Sequence, residues 1–388
     1  MIAYSDIAAA RRRISPYISH TPLEPALSLS RPDAPVYLKL ECSQRTHSFK
    51  LRGALSRLTA LTREERRRGV ITVSSGNHGI GVSLAARLLG VTPAVVYVPE
   101  TAPRAKIEKI RYYGAEVRLT GRNYDQAHRN AMEAVRREGL TYVDSSSDPA
   151  VIAGQGTIAP EILEDAPDVD TILVPIGGGG IITGIAVAAK ALKPGIRILG
   201  VQTEACPAML RAMEDNRFYE EYPSADSLCD ALVGGVAEIP FRMSRQCIDG
   251  ILLVSESGIR RATARLFTEE KVVAEPSSAT VAAALAEHPD RFTGHVTAAV
   301  VTGGNLDTER MRQMLLGCTA ALPMEKIPGP GIIPGRVFSA EYQSSGIGNF
   351  VVMGHPAFDF LRGNQTGKGL VHRGQIGGVV ALGYGNRR

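Results

Sequence analysis

The chain lacks several features that mark common classes of protein. It has no run of about 18 apolar residues, which excludes a membrane-spanning helix. No basic stretch followed by an apolar one stands at its start, so the sequence indicates no secretory signal. Its five cysteines are widely spaced without a C-x-x-C pair, which argues against a disulfide framework and a zinc site. We therefore expect a protein of the reducing cytoplasm.

Aromatic residues and net charge are also scarce. Tryptophan is absent and aromatic residues make up 5% of the 388 residues, whereas 44% are hydrophobic and 21% are charged. This composition is typical of a globular protein of two or three domains. The net charge of +5 lies mostly in residues 329–388, which carry six basic and two acidic residues. The rest is nearly neutral, so nucleic acid is not an expected partner.

Short apolar segments alternate with helical patterns along most of the chain. Val36–Leu40, Gly69–Val73 and Ala94–Val98 are early examples, and Thr171–Ile176 and Val296–Val301 follow later. Such continuous runs of Val, Ile and Leu are expected of strands buried on both faces. The alternation predicts an α/β protein with open, mainly parallel sheets.

Three of these predicted strands end in loops of glycine and small polar residues. Gly177–Gly180 and Ser74–His78 each lie between a strand and a helix, and Thr302–Asn305 follows a third strand. Bare backbone N–H groups at a helix start can bind a phosphate or a carboxylate. Because ligands of open α/β sheets gather at the carboxyl ends of strands, we expect a shared crevice. A tight turn or a helix cap is the alternative interpretation.

These loops make Lys50 a candidate catalytic residue. An isolated lysine is ordinarily solvated and does no chemistry. Beside phosphate-binding loops, however, a lysine can form a Schiff base with a phosphate cofactor that bears an aldehyde.

Together, these segments resemble the serine/threonine dehydratase family, pyridoxal-phosphate enzymes of the tryptophan-synthase-β-like fold that include serine racemases. The matching motifs are S-F-K-x-R-G-A at Ser48–Ala54, S-S-G-N-H at Ser74–His78, A-G-Q-G-T at Ala153–Thr157, four glycines at Gly177–Gly180, and S-G-G-N, present as Thr302–Asn305. They follow the expected order over roughly the first 320 residues.

The resemblance implies how pyridoxal 5'-phosphate would be bound. Lys50 would carry the cofactor as a Schiff base and act as the base on the substrate Cα proton. Phe49 would pack beside the ring, Asn77 would bind the ring hydroxyl, and Thr302 would face the pyridine nitrogen. The phosphate would be held by Gly177, Gly178, Gly179 and Gly180.

The resemblance also implies a substrate site. The substrate carboxylate would be bound by the loop Ser74, Ser75, Gly76, Asn77 and His78. Ser75 would lie opposite Lys50, where racemases use a serine as a second acid or base. His47, which replaces the family's usual glycine, would either contact a substrate side chain or only cover the pocket.

The implied reaction is α,β-elimination from a small β-hydroxy amino acid of the serine or threonine kind, giving a 2-oxo acid and ammonia. A hydroxyl at the ring nitrogen, rather than a carboxylate, favours prompt loss of the β-hydroxyl. Two alternatives stay open. The chain could be a serine-type racemase, or a pyridoxal-phosphate-binding or regulatory protein without turnover. The resemblance also implies a homodimer.

Domain boundaries and metal binding complete the expectations. We predict a large cofactor-binding domain of residues 1–52 and 145–320, an inserted small domain of residues 53–144, and a glycine-rich extension of residues 321–388 without an assigned role. Some racemases bind a divalent ion through a glutamate, a carbonyl and an aspartate. Glu204 and Ala208 match the first two, but Leu210 replaces the aspartate, so no metal is expected.

Overall fold

The computed structural model describes residues 1–102 and 104–319, and the backbone of four short strands later in the chain. It divides into two compact units, Met1–Pro323 and Met324–Arg388. The finer division of the first unit into a large domain and an inserted small domain stays a prediction.

Two sheets form the framework of the first unit. Its strands are β1 (Leu23–Pro25), β2 (Val36–Leu40), β3 (Val70–Val73), β4 (Ala94–Val98), β5 (Glu116–Leu119), β6 (Thr141–Tyr142), β7 (Thr171–Pro175), β8 (Arg197–Thr203), β9 (Gly250–Val254) and β10 (Thr297–Val301). One sheet has the order β1-β2-β10-β7-β8-β9 and the other β5-β4-β3-β6. All neighbours are parallel except β1 and β2.

Helices connect these strands. They are α1 (Tyr4–Ile14), α2 (Lys50–Thr59), α3 (Arg63–Arg68), α4 (Asn77–Leu89), α5 (Arg104–Tyr112), α6 (Tyr124–Glu138), α7 (Pro149–Gly156), α8 (Ile158–Asp165), α9 (Gly180–Leu192), α10 (Ala208–Glu214), α11 (Glu238–Cys247), α12 (Glu256–Thr268), α13 (Pro276–Glu287) and α14 (Thr308–Thr319). Every residue of β3, β7 and β10 is buried, as expected for strands covered on both faces. The prediction of an open, mainly parallel α/β fold is confirmed.

Helix α6 shows how the local sequence produces this packing. Asn123 caps its first turn, because its side-chain oxygen accepts a hydrogen bond from Gln126 N at 3.0 Å. Ala127, Ala131 and Ala134 recur at helical spacing and are fully buried in a cluster with residues of β3 and β4. Small side chains on one face let this helix lie close to its sheet.

The described strands of the second unit form antiparallel pairs. Strand β11 (Val351–Gly354) pairs with β12 (Ala357–Phe360), and β13 (Arg373–Ile376) pairs with β14 (Val379–Leu382). Among the residues that the structure describes, no helix is long and apolar enough to cross a membrane.

A buried ion cluster ties α2 to the first sheet. The Arg52 guanidinium donates to both carboxylate oxygens of Glu41 at 2.8 Å and to those of Glu161 at 2.7 and 2.8 Å. Lys39 of β2 also pairs with Glu161 at 2.8 Å. The side chains of Arg52, Glu41 and Lys39 are fully buried. Buried charges are tolerated only when they are paired and hydrogen-bonded in this way.

Replacing Arg52 by methionine tests this cluster. The change leaves the carboxylates of Glu41 and Glu161 buried without their main cation, so we expect the free energy of unfolding to fall by about 3–5 kcal/mol. Urea unfolding of the apoenzyme measures it. The matched control is Arg67→Met, because Arg67 pairs with Glu64 on the exposed face of α3. An unfolding midpoint of Arg52→Met equal to that of the control would contradict this account.

Candidate active site

The loop that follows β10 is the point where three of the predicted motifs meet. Thr302 O accepts a hydrogen bond from Phe49 N at 3.0 Å, and Gly303 forms an isolated β-bridge with Ser48. Asn305 Nδ2 donates to Asn77 Oδ1 at 2.7 Å. The lysine segment, the Thr302–Asn305 loop and the start of α4 are therefore joined by direct hydrogen bonds.

Lys50 is the first residue of α2 and is partly buried. Its Nζ atom donates to Ser145 O at 3.2 Å and lies 5.1 Å from the centre of the Phe49 ring. Desolvation lowers the pKa of Lys50 from 10.5 to about 8, although the carboxylates of Asp144 and Glu275 oppose this shift. Lys50 consequently holds more free amine near neutral pH than an ordinary lysine, as a base or a nucleophile requires.

The four glycines after β7 form a tight cradle. Gly179 has a φ of +90°, which favours glycine, and Gly180 begins α9. A Cβ atom at Gly178 would lie 2.9 Å from Ser146 Oγ, and one at Gly179 would lie 2.6 Å from Pro240 Cβ. Side chains at these two positions would clash, so the backbone is left bare at a helix start. A phosphate fits such an arrangement.

Two buried hydroxyls stand side by side at the end of β10. Thr302 Oγ1 lies 2.9 Å from Ser278 Oγ of α13, and Ser278 Oγ accepts from Gly303 N at 2.7 Å. Thr302 was a predicted site residue, whereas Ser278 was missed. The polar residues that precede the apolar run of α13 were the available signal for it.

Asn77, the first residue of α4, is held at both ends of its amide. Its Nδ2 atom donates to Glu275 Oε1 at 2.8 Å, and its Oδ1 atom accepts from Asn305. Asn305 in turn accepts from Lys109 Nζ at 2.5 Å. This chain of hydrogen bonds fixes the direction in which the Asn77 amide faces.

Glu275 is the half-buried acid that holds Asn77, and it was not among the predicted site residues. Desolvation raises the pKa of Glu275 from 4.5 to about 7, and Asp230 adds to the shift. The hydrogen bond from Asn77 and the charges of Lys106 and Lys50 act in the opposite direction. Glu275 is therefore poised to change its protonation state near neutral pH.

The loop between β3 and α4 combines an open and a closed part. Ser74 Oγ accepts from Gly76 N at 3.1 Å, and a Cβ atom at Gly76 would meet nothing within 4 Å. Ser75 is half-buried. The open part of the loop, at Gly76, leaves room for an anion at the start of α4. Its role in binding a substrate carboxylate stays a prediction.

His78 lies at the closed end of this loop. Its Nε2 atom is 3.0 Å from Val143 O, and since a carbonyl only accepts, Nε2 carries the proton. Desolvation and the nearby Lys50 lower the pKa of His78 to about 4, so the ring is neutral. Within the described part of the chain, the buried Nδ1 atom has no hydrogen-bond partner. One side of the His78 ring is therefore held by a hydrogen bond to the backbone directly after β6.

Three further positions considered in the sequence are His47, Glu204 and Leu210. His47 has a φ of +57°, and its Nδ1 atom lies 3.2 Å from Cys42 O. It lines a cavity of about 680 Å³ together with Lys109 and Asn305. The Glu204 side chain is exposed. The backbone N–H of Leu210 donates to Gln202 Oε1 at 3.0 Å.

These residues fit pyridoxal phosphate. The partly desolvated lysine amine suits the aldehyde, and the bare glycine cradle suits the phosphate. The fixed amide suits the ring hydroxyl, and the pair of buried hydroxyls suits the ring nitrogen. The individual contacts of each residue with the cofactor stay predictions.

Comparison with known proteins decides the family. A family model described as pyridoxal-phosphate dependent enzyme matches residues 14–303. The chain belongs to this family. The L-threonine ammonia-lyase of Thermotoga maritima is 38% identical over 317 residues, which cover 81% of this chain and 78% of that one. The catabolic L-threonine dehydratase of Escherichia coli K12 is 39% identical over 317 residues, covering 81% and 96%.

Solved structures of family members agree. Maize serine racemase gives a TM-score of 0.76 at 30% identity and covers 82% of this chain and 98% of that one. The processed form of threonine deaminase isoform 2 from Solanum lycopersicum gives a TM-score of 0.76 at 34% identity, covering 81% and 87%. The predicted tryptophan-synthase-β-like fold, the pyridoxal phosphate cofactor and the dehydratase type of enzyme are confirmed.

Glu275→Gln tests the raised pKa of this carboxyl group. A carboxyl whose pKa is raised by folding contributes stability below its ordinary pKa, and that contribution is lost as the pH rises toward the folded value. We expect the melting temperature of the wild-type apoenzyme to fall, relative to the variant, between about pH 5 and about pH 7, and to fall no further above it. Glutamine keeps an oxygen that accepts from Asn77.

Glu65→Gln provides the control for this measurement. A hydrogen bond from Arg57 lowers the pKa of Glu65 to about 2, so Glu65 is ionised throughout the range in both folded and unfolded chains. The difference in melting temperature between this variant and wild type should be constant with pH. An equally constant difference for Glu275→Gln would disprove the raised pKa.

Proposed function

We propose that the chain is an L-threonine ammonia-lyase that releases ammonia and 2-oxobutanoate, with L-serine as a second, smaller substrate. The observation that carries this proposal is the hydroxyl pair of Thr302 and Ser278, 2.9 Å apart at the end of β10. A hydroxyl facing the ring nitrogen cannot hold a proton there as firmly as a carboxylate would. Loss of a β-hydroxyl is favoured over longer-lived carbanion chemistry. The two relatives named for L-threonine support the substrate.

Different residues of the chain carry out different steps of this reaction. Bound pyridoxal phosphate supplies an electron sink that acidifies the proton on the substrate Cα. The free amine of Lys50 takes that proton, which its lowered pKa permits near neutral pH. The Ser74–Gly76 loop binds the substrate carboxylate at the start of α4 and so turns the Cα–H bond toward Lys50. The protonated Lys50 returns this proton to the β-hydroxyl, which leaves as water. Hydrolysis of the released enamine consumes one water and gives the oxo acid and ammonia.

Lys50→Ala should strongly slow the elimination. Removal of the base should lower kcat for L-threonine about 10²–10⁴-fold. Ammonia release, coupled to a colorimetric assay of the 2-oxo acid, measures the loss. Lys193→Ala is the control, since Lys193 Nζ donates to the carbonyls of Pro167 and Val169, away from the site. Full activity of Lys50→Ala, or activity of wild type toward neither amino acid, would overturn the proposal.

Serine racemisation is the second candidate function. Maize serine racemase shares the fold at 30% identity, and Ser75 offers a half-buried hydroxyl in the open part of the substrate loop. A racemase needs a second acid or base on the face opposite its lysine.

Ser75→Ala separates the two candidates. For an ammonia-lyase, we expect pyruvate formation from L-serine to be retained within about tenfold, because only one hydrogen bond to the substrate is lost. Chiral chromatography of the same reaction measures D-serine. Formation of D-serine as the main product by wild type, with its loss in Ser75→Ala, would favour the racemase.

The proposal extends to assembly and location. A cytoplasmic enzyme is supported by the free thiols of Cys42, Cys206, Cys229 and Cys247. A homodimer is supported by the family resemblance.

A further inference from the structure

Asp144 shapes a turn that no predicted motif includes. It follows β6, and its Oδ1 atom accepts from Ser146 N at 2.7 Å and from Ser147 N at 2.5 Å. An aspartate that binds the backbone N–H groups two and three residues ahead fixes the course of the chain.

This turn touches two parts of the cofactor site. Ser145 O accepts the hydrogen bond from Lys50 Nζ. Ser146 lies against the phosphate cradle, because Cβ atoms at Gly178 and Gly180 would come within 2.9 Å of its Oγ atom and 3.1 Å of its carbonyl oxygen. One short turn thus contacts both the lysine and the glycines.

Asp144 also places a negative charge near Lys50. Three titratable groups act around the amine: Asp144 after β6, Glu275 before α13 and His78 of α4. His78 is neutral, so the two carboxyl groups oppose desolvation, with Asp144 the larger influence.

We propose that Asp144 is a positioning residue that, by holding the Ser145–Ser147 turn, sets both the Lys50 amine and the phosphate cradle for pyridoxal phosphate. The proposal concerns cofactor binding and does not depend on which amino acid is the substrate. Two properties of Asp144 contribute. Its side-chain oxygen accepts the hydrogen bonds that hold the turn, and its charge acts on the Lys50 amine.

Variants of Asp144 separate these properties. Asp144→Asn keeps an oxygen for Ser146 N and Ser147 N but removes the charge, whereas Asp144→Ala removes both. Asp148 is a matched control four residues on. Its Oδ1 atom accepts from Ala150 N and Val151 N at 2.8 and 3.3 Å, and it pairs with Arg57 at 2.9 Å.

The first measurement is the affinity of the apoenzyme for pyridoxal phosphate, by fluorescence titration. Loss of two hydrogen bonds that shape the site should raise the Kd of Asp144→Ala about tenfold or more. Asp144→Asn should bind within about threefold of wild type, since the turn is kept. Asp148→Ala should lose thermal stability but keep its Kd. Equal Kd values for Asp144→Ala and Asp148→Ala would overturn the proposal.

The second measurement follows the lysine without the cofactor. The rate at which an amine-reactive acylating reagent labels Lys50 in the apoenzyme, read by peptide mass spectrometry, reports the pH at which the amine loses its proton. Asp144→Asn should shift this profile to lower pH, whereas Asp148→Asn should leave it in place. An unshifted profile in Asp144→Asn would overturn the electrostatic part even if Asp144→Ala does not fold.

Discussion

The buried guanidinium of Arg52 is the constraint on which the site depends. It stands two residues after Lys50 in α2 and is bound by Glu41, directly after β2, and by Glu161 of α8. Because these charges are withdrawn from water, each carboxylate binds the guanidinium in a single geometry. The first turn of α2, and with it the lysine, is thereby fixed relative to the first sheet.

A second level of order comes from the loop after β10. Its backbone bonds to Phe49 and Ser48, and Asn305 of the same loop holds Asn77 at the start of α4. The carboxyl end of one fully buried strand therefore connects both sheets to the lysine. A rigid strand gives these contacts a precision that a mobile loop would not.

Electrostatics then follows from this placement. Desolvation lowers the pKa of Lys50 and raises that of Glu275, and both values move toward neutrality. The Lys50 amine and the Glu275 carboxyl group can therefore both gain or lose a proton close to neutral pH. The motif of each residue says nothing of this, because a pKa depends on burial and on neighbours far apart in the chain.

The sequence by itself determined the parallel α/β class and the order of the motifs, because strand patterns and glycine-rich helix starts are local features. The cofactor was implied by the resemblance of those motifs to a known family. That resemblance also pointed to Lys50, Asn77 and Thr302. Only the tertiary structure brought in Glu275 and Ser278, and only it showed the Asp144 turn against the cradle. These groups act through contacts between residues as many as 198 positions apart, which no local pattern records.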